Sequence, residues 1–174
     1  MSRIFIGIPI VASVGSQLLT LAESHFKLNQ DQLYPLSKLH LTVAFIGEMS
    51  TAQLEELHDK LTALSGKQLS FKLQFKKFDC LKPRNRDALL LALTDLSLDL
   101  GKLVYQVKQI LLALDLPTDK RVFRPHVTLS RKIQHAISSE YQLHLVQSVN
   151  EFLVYQSEDG QYTPLYRYPL QPLT

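Results

Sequence analysis

The sequence predicts one domain that mixes helices and strands in two halves of similar build, approximately residues 1–85 and 86–174. Two observations predict it. Apolar periodicity switches between the two-residue repeat of a strand and the 3.6-residue repeat of a helix. The order is strand, helix, strand, helix, strand, and then strand, helix, strand, strand, strand. The second observation is a short pattern, His, apolar, Thr, apolar, that stands once in each half. A length of 174 residues suits a single domain, and 45 % hydrophobic with 20 % charged residues is enough for a folded core.

The opening run Arg3 to Ile8 is rich in β-branched and aromatic residues and stops at Pro9, where the N–H ladder of a strand must end. Val14, Leu18, Leu21 and Ala22 then lay one apolar stripe along a helix from Val11 to about Leu28. Asn29 to Lys38 reads as a loop, and Leu39 to Ile46 as a strand ending at Gly47. Ser50 and Gln53 form a capping box that opens a second helix, whose Leu54, Leu57, Leu61 and Leu64 face a core until Gly66 closes it.

Phe71, Leu73 and Phe75 alternate with Lys72, Gln74 and Lys76, the mark of a strand with one wet face. Lys82 to Arg86 reads as a turn and Ala88 to Leu93 as a buried strand. Leu100, Leu103, Val104, Val107, Ile110, Leu111 and Leu114 make a third helix that Leu116-Pro117 ends. Strands are expected at Phe123 to Ser130, Val149 to Tyr155 and Leu165 to Leu170, with a turn at Ser157 to Gly160 between the last two.

Charge and cysteine content narrow the function classes. A net charge of +3 permits an anionic ligand without requiring nucleic acid. The single cysteine, Cys80, excludes an internal disulfide and a cysteine-based zinc cage. The apolar run Ile4 to Val14 is too short to span a bilayer and is broken by Gly7 and Pro9. A soluble cytoplasmic protein with no membrane association and no obligate protein partner is therefore expected.

The chemistry is concentrated in the repeated pattern, Leu39-His40-Leu41-Thr42-Val43 and Pro125-His126-Val127-Thr128-Leu129. On a strand, His40 and Thr42 share one face while Leu41 and Val43 point behind it, and the same holds for His126 and Thr128. Two such strands brought together would set two imidazoles and two hydroxyls around one cleft. That set suits in-line displacement at phosphorus: one neutral imidazole takes a proton from the attacking oxygen and one imidazolium gives a proton to the leaving oxygen. The threonines can hold the non-bridging oxygens. A metal site is the weaker reading, because neither pattern has a carboxylate or cysteine beside its histidine. No cofactor is called for.

The repeat resembles the two-histidine phosphoesterase superfamily, in particular the RNA 2′,3′-cyclic phosphodiesterases also known as 2′-5′ RNA ligases. The likeness also covers the opening Arg3-Ile4-Phe5-Ile6-Gly7-Ile8, the stretches Leu39 to Glu48 and Phe123 to Arg131, and the closing Tyr162-Thr163-Pro164-Leu165. It implies a bilobal α+β fold, each lobe an antiparallel sheet with helices outside, and an active cleft between the lobes. It implies hydrolysis of an RNA-terminal or nucleotide 2′,3′-cyclic phosphate to a 2′-phosphate, with 2′-5′ joining of RNA ends such as those of tRNA. His40 and His126 become the acid and base pair, and Thr42 and Thr128 the phosphate holders. His40 is assigned as the acid to O3′ and His126 as the base for water, an assignment the motif also allows reversed. A non-catalytic RNA-binding module of the same fold is the alternative. One departure from the pattern is a short chain, in which Asn29 to Lys38 offers fewer RNA contacts.

Arg131 and Phe45 each lie five residues past a histidine, an odd offset that points away from the cleft on a straight strand. A bulge near Ser130 would return Arg131 to the cleft, where the resemblance implies contact with phosphate or base. Phe45 is either core or, as the resemblance implies, a stacking surface for a base, and Phe5 has the same two readings. Lys76, Lys77, Lys82, Arg84, Arg86, Lys120 and Arg121 are surface cations able to attract phosphates. His25, His58, His135 and His144 have no repeated partner, and Cys80 reads as a small filler.

Overall fold

The computed structural model describes residues 3–82, 87–133 and 141–173. Among the described residues eight strands form one antiparallel sheet: β1 (Arg3–Pro9), β2 (His40–Gly47), β3 (Phe71–Leu81), β4 (Ala88–Thr94), β5 (His126–Ile133), β6 (Val146–Val149), β7 (Glu151–Glu158) and β8 (Gln161–Pro169). The α-helices of the described residues are α1 (Ala12–Phe26), α2 (Thr51–Ser65) and α3 (Leu98–Ala113). The strand order is β6-β3-β4-β5-β2-β1-β7-β8. Two four-stranded halves thus meet where β5 pairs β2, and the described register there is the single opposition of Leu41 and Val127.

The two halves of the sheet do not coincide with residues 1–85 and 86–174. The hairpin β3–β4 crosses the midpoint of the chain and joins β5 and β6, while the C-terminal hairpin β7–β8 returns to β1. That return removes an exposed edge from the N-terminal strand. It also splits the strand expected at Val149 to Tyr155. Val146–Val149 pairs with β3, the chain breaks at Asn150, and Glu151–Glu158 pairs with β1 and β8.

The faces of the sheet follow from alternation. Ile4, Ile6 and Ile8 of β1 enter one large core with Leu41, Val127, Phe152 and Val154. Val14, Leu18 and Ala22 of α1, Leu57 and Leu61 of α2, and Leu100, Leu103, Val107 and Leu111 of α3 complete it. The opposite face carries a second, smaller cluster, Phe5, Leu153 and Tyr155 with Tyr162 packed against it. Ser50 caps α2 as a full box with Gln53, satisfying two end donors that would otherwise be orphaned.

The loop Asn29 to Lys38 contains two short 3-10 turns, Gln30–Gln32 and Leu36–Lys38. The turn expected from Lys82 to Arg86 lies outside the described residues from Pro83 on, as does His135. No helix among the described residues is long and apolar enough to cross a membrane.

Candidate functional site

The junction of β2 and β5 fixes the site. An antiparallel register through Leu41 and Val127 sets His40 against Thr128 and Thr42 against His126, all on the face opposite the core. The two histidines then lie on a diagonal, which in a paired sheet spans about 7–8 Å, room for one tetrahedral group between them. Leu41 and Val127 are themselves fully buried and anchor the pair from behind.

Each histidine opens its strand and is oriented the same way. His40 Nδ1 lies 2.8 Å from the carbonyl oxygen of Lys38, and His126 Nδ1 lies 2.7 Å from that of Arg124. A carbonyl only accepts, so each Nδ1 carries the proton, and the neutral rings present Nε2 as a bare acceptor. Burial lowers the pKa of His40 below its ordinary 6.5. The Lys38 carbonyl partly opposes that shift, while the positive charges of Arg131 and His126 add to it.

The ring of His40 rests on an aromatic floor. Phe5 lies 4.8 Å away and Tyr162 meets it edge-on at 5.2 Å, while Phe5 in turn stacks on Tyr155 at 4.9 Å. Phe5 is only 2 % exposed, so of its two readings it takes the packing role. Gly7, directly across from Thr42, lets this happen. A Cβ there would come within 3.2 Å of the Leu41 carbonyl and 3.4 Å of the His40 ring.

Two bulges resolve the odd offsets. In β2 the register with β1 passes from Gly7 opposite Thr42 to Ile6 opposite Ala44, skipping Val43. In β5 the register with β4 passes from Leu91 opposite Thr128 to Leu90 opposite Ser130, skipping Leu129. One extra residue reverses the alternation. Phe45 consequently leaves the core and stands 60 % exposed, and Arg131 faces the same side as His126.

His40, Thr42, Phe45, His126, Thr128 and Arg131 all line one cavity of about 520 Å³. Arg3, Tyr34, Gly47, Ser157 and Tyr162 complete much of its wall, and among the described residues none that lines it is acidic. Motif spacing did not single out Arg3, Tyr34 or Ser157, because they come from segments that carry no repeat. Tyr34 is tied to the second bulge, its N–H donating to the Leu129 carbonyl at 2.8 Å. Lys38 sits near the rings of Tyr34 and Tyr162, at 5.8 and 5.9 Å. Burial raises the Tyr162 pKa, which keeps its hydroxyl a donor.

The remaining candidates fall elsewhere. Lys76 pairs with Asp95 at 3.0 Å and Arg121 with Asp119 at 2.6 Å, both in exposed settings. His58 stacks on Tyr166 and bonds the Tyr168 hydroxyl at 3.0 Å. Among the described residues no three His, Cys, Asp or Glu side chains converge to hold a metal ion.

Comparison with known proteins agrees with this architecture. The RNA 2′,3′-cyclic phosphodiesterase of Bacillus subtilis (strain 168) is 28 % identical over 129 residues, 74 % of this chain and 70 % of that protein. Escherichia coli LigT complexed with 3′-AMP superposes with a TM-score of 0.81 at 25 % identity, covering 97 % of this chain and 98 % of that one. Against LigT, therefore, the chain is not short. A protein of Thermus thermophilus shares the fold, with a TM-score of 0.82 at 20 % identity over 99 % of this chain and 100 % of its own. The sequence profile of the 2′-5′ RNA ligase superfamily matches residues 17–154, a span that holds both His-x-Thr strands, and the chain belongs to that superfamily.

Proposed function

We propose that this protein is a phosphodiesterase that opens 2′,3′-cyclic phosphates at RNA ends or on nucleotides, in the cleft of one bilobal domain and without a metal ion. The observation that carries the reading is the opposition of Leu41 and Val127, which turns two sequence-distant His-x-Thr pairs into one four-residue constellation. The name of the Bacillus subtilis relative and the nucleotide in LigT support the substrate class.

In the proposed reaction His126 is the base and His40 the acid. The Nε2 of His126 takes a proton from water as the water oxygen bonds to phosphorus. The P–O3′ bond breaks, and His40 Nε2–H delivers a proton to O3′. The product is a 2′-phosphate with a free 3′-hydroxyl, and each proton transfer contributes about 10² to 10⁴ in rate. Thr42 and Thr128 donate to the non-bridging oxygens, and Arg131 offsets their charge. The burial asymmetry supports this order: His40 is enclosed against Phe5 and Tyr162, and His126 is the less enclosed ring. Desolvation makes the His40 imidazolium the more ready donor once the substrate anion has drawn a proton onto it. If a 5′-hydroxyl replaces water, the same steps join RNA ends, including those of tRNA, through a 2′-5′ bond. A reducing cytoplasm suits the free thiol of Cys80.

The test is incubation, in EDTA, with an oligonucleotide ending in a 2′,3′-cyclic phosphate. A 2′-phosphate product, with turnover collapsing in both His40→Ala and His126→Ala, is expected. Undiminished turnover in both variants rejects the reading, and wild-type binding without turnover gives the non-catalytic RNA-binding module instead.

A further inference from the structure

The cavity carries more positive charge than one cyclic phosphate requires. Arg131 enters it from β5, close enough to disfavour protonation of His40. Arg3 enters from the opposite half of the sheet, at the start of β1, and among the described residues no acidic side chain lines the space between them. Among the described residues no ion pair to Arg3 is formed. Its position follows from alternation: Phe5 faces the cavity and Gly7 approaches His40, so Arg3 falls on the same face.

Distance along the strand separates Arg3 from the reaction centre. Gly7 lies opposite Thr42, and the four residues back to Arg3 span about 13 Å of β1, part of which an extended arginine recovers. Phe45, opposite Phe5, lies between the two ends. At the far end Ser157 sits directly across from Arg3 and adds a hydroxyl. Gly47, with φ of 95°, ends β2 there, and no atom of the described residues comes within 4 Å of a would-be Cβ, which leaves space beside Gly47 at that end of the cavity.

We propose that Arg3, with Ser157, is a second phosphate subsite that holds the 5′-phosphate of the nucleotide whose cyclic phosphate lies between His40 and His126. This rests on the reaction proposed above and specifies its substrate: a 5′-phosphorylated or oligonucleotide end over a bare nucleoside cyclic phosphate. The order of groups along the cavity is then reacting phosphate at the histidines, base on Phe45 and second phosphate at Arg3.

Calorimetric titration of adenosine 2′-monophosphate and adenosine 2′,5′-bisphosphate into the intact protein tests it. The bisphosphate is expected to bind about 10-fold more tightly to the wild type at low salt, as a charge-assisted contact gives. Arg3→Ala brings the ratio of affinities close to one, and Arg3→Lys retains part of it. Equal affinities in the wild type, or a ratio that survives Arg3→Ala and disappears in Arg131→Ala, overturn the assignment. The ratio is read without turnover, so failure to hydrolyse any cyclic phosphate overturns the proposed reaction while the titration still decides the role of Arg3.

Discussion

Phe45 and Arg131 occupy equivalent places in the two halves of the sheet. Each lies five residues after a histidine that opens its strand, and each is returned to the cavity by a bulge at the residue following a threonine, Val43 in β2 and Leu129 in β5. The duplicated frame is thus symmetric in backbone and asymmetric in chemistry. One half offers a flat apolar ring, the other a cation, which is what an asymmetric ligand with a base and a phosphate presents.

From that asymmetry follows the effect of Phe45→Ala. A base stacked on an aromatic ring contributes about 1–3 kcal/mol, so KM for a cyclic nucleotide should rise about 5- to 150-fold while kcat changes little. Phe45→Tyr should restore KM. Because the ring is 60 % exposed, the melting temperature should stay near that of the wild type. Steady-state kinetics with the two variants check this, and a loss confined to kcat would contradict the stacking role.

Much of this architecture is legible in the sequence, and the exceptions share a cause. The stripes of Val14, Leu18 and Ala22 and of Leu57, Leu61 and Leu64 are local periodicities, and the Ser50–Gln53 box is a local hydrogen-bond pair, so both appear in the chain itself. The His-x-Thr faces are equally local. The bulges are not: skipping Val43 or Leu129 is a property of the register with β1 or β4, and no local pattern marks it. The break at Asn150 is hidden for the same reason. Both sides of it have strand composition, and only their different partners, β3 and β1, separate them. Tyr34 reaches the site through a bond from its backbone to Leu129, which side-chain pattern cannot reveal.

Gly7 is a positioning residue for His40. A methyl group there would sit 3.2 Å from a backbone carbonyl that cannot easily move and 3.4 Å from the imidazole that can. Gly7→Ala should therefore displace the ring by tenths of an ångström. Since a full ångström of misplacement can cost about 100-fold, a fall in kcat/KM of about 10-fold is expected. The affinity for adenosine 2′-monophosphate should change far less. A variant whose kcat/KM matches the wild type would remove Gly7 from the account of how His40 is held.

Leu41 links stability to the site. It is fully buried, and its opposition to Val127 is the described pairing between the two halves of the sheet. Leu41→Ala should cost about 2–5 kcal/mol, as truncations of buried leucines do. Leu61→Ala in α2, equally buried, should cost a similar amount. The two should differ in activity measured well below either melting temperature: Leu41→Ala loosens the register of His40 against His126 and lowers kcat/KM, and Leu61→Ala spares it. Equal activity in the two variants would mean that the seam does not hold the histidines in register.

The ionisation of His40 sets the last prediction. Burial disfavours its imidazolium, and the neighbouring charges of Arg131 and His126 act in the same direction, so its pKa in the free protein lies below 6.5. With two coupled imidazoles, kcat/KM should trace a bell, and its acid limb reports the lower macroscopic value of the pair. That limb should therefore fall below pH 6.5. Arg131→Gln removes a cation that opposes protonation, so the His40 pKa should rise and the acid limb should move to higher pH, even as the maximum rate drops. Histidine ring resonances followed by NMR titration give the same shift without substrate. An acid limb above pH 6.5, or one unmoved by Arg131→Gln, would show that the enclosed ring is not the group that titrates.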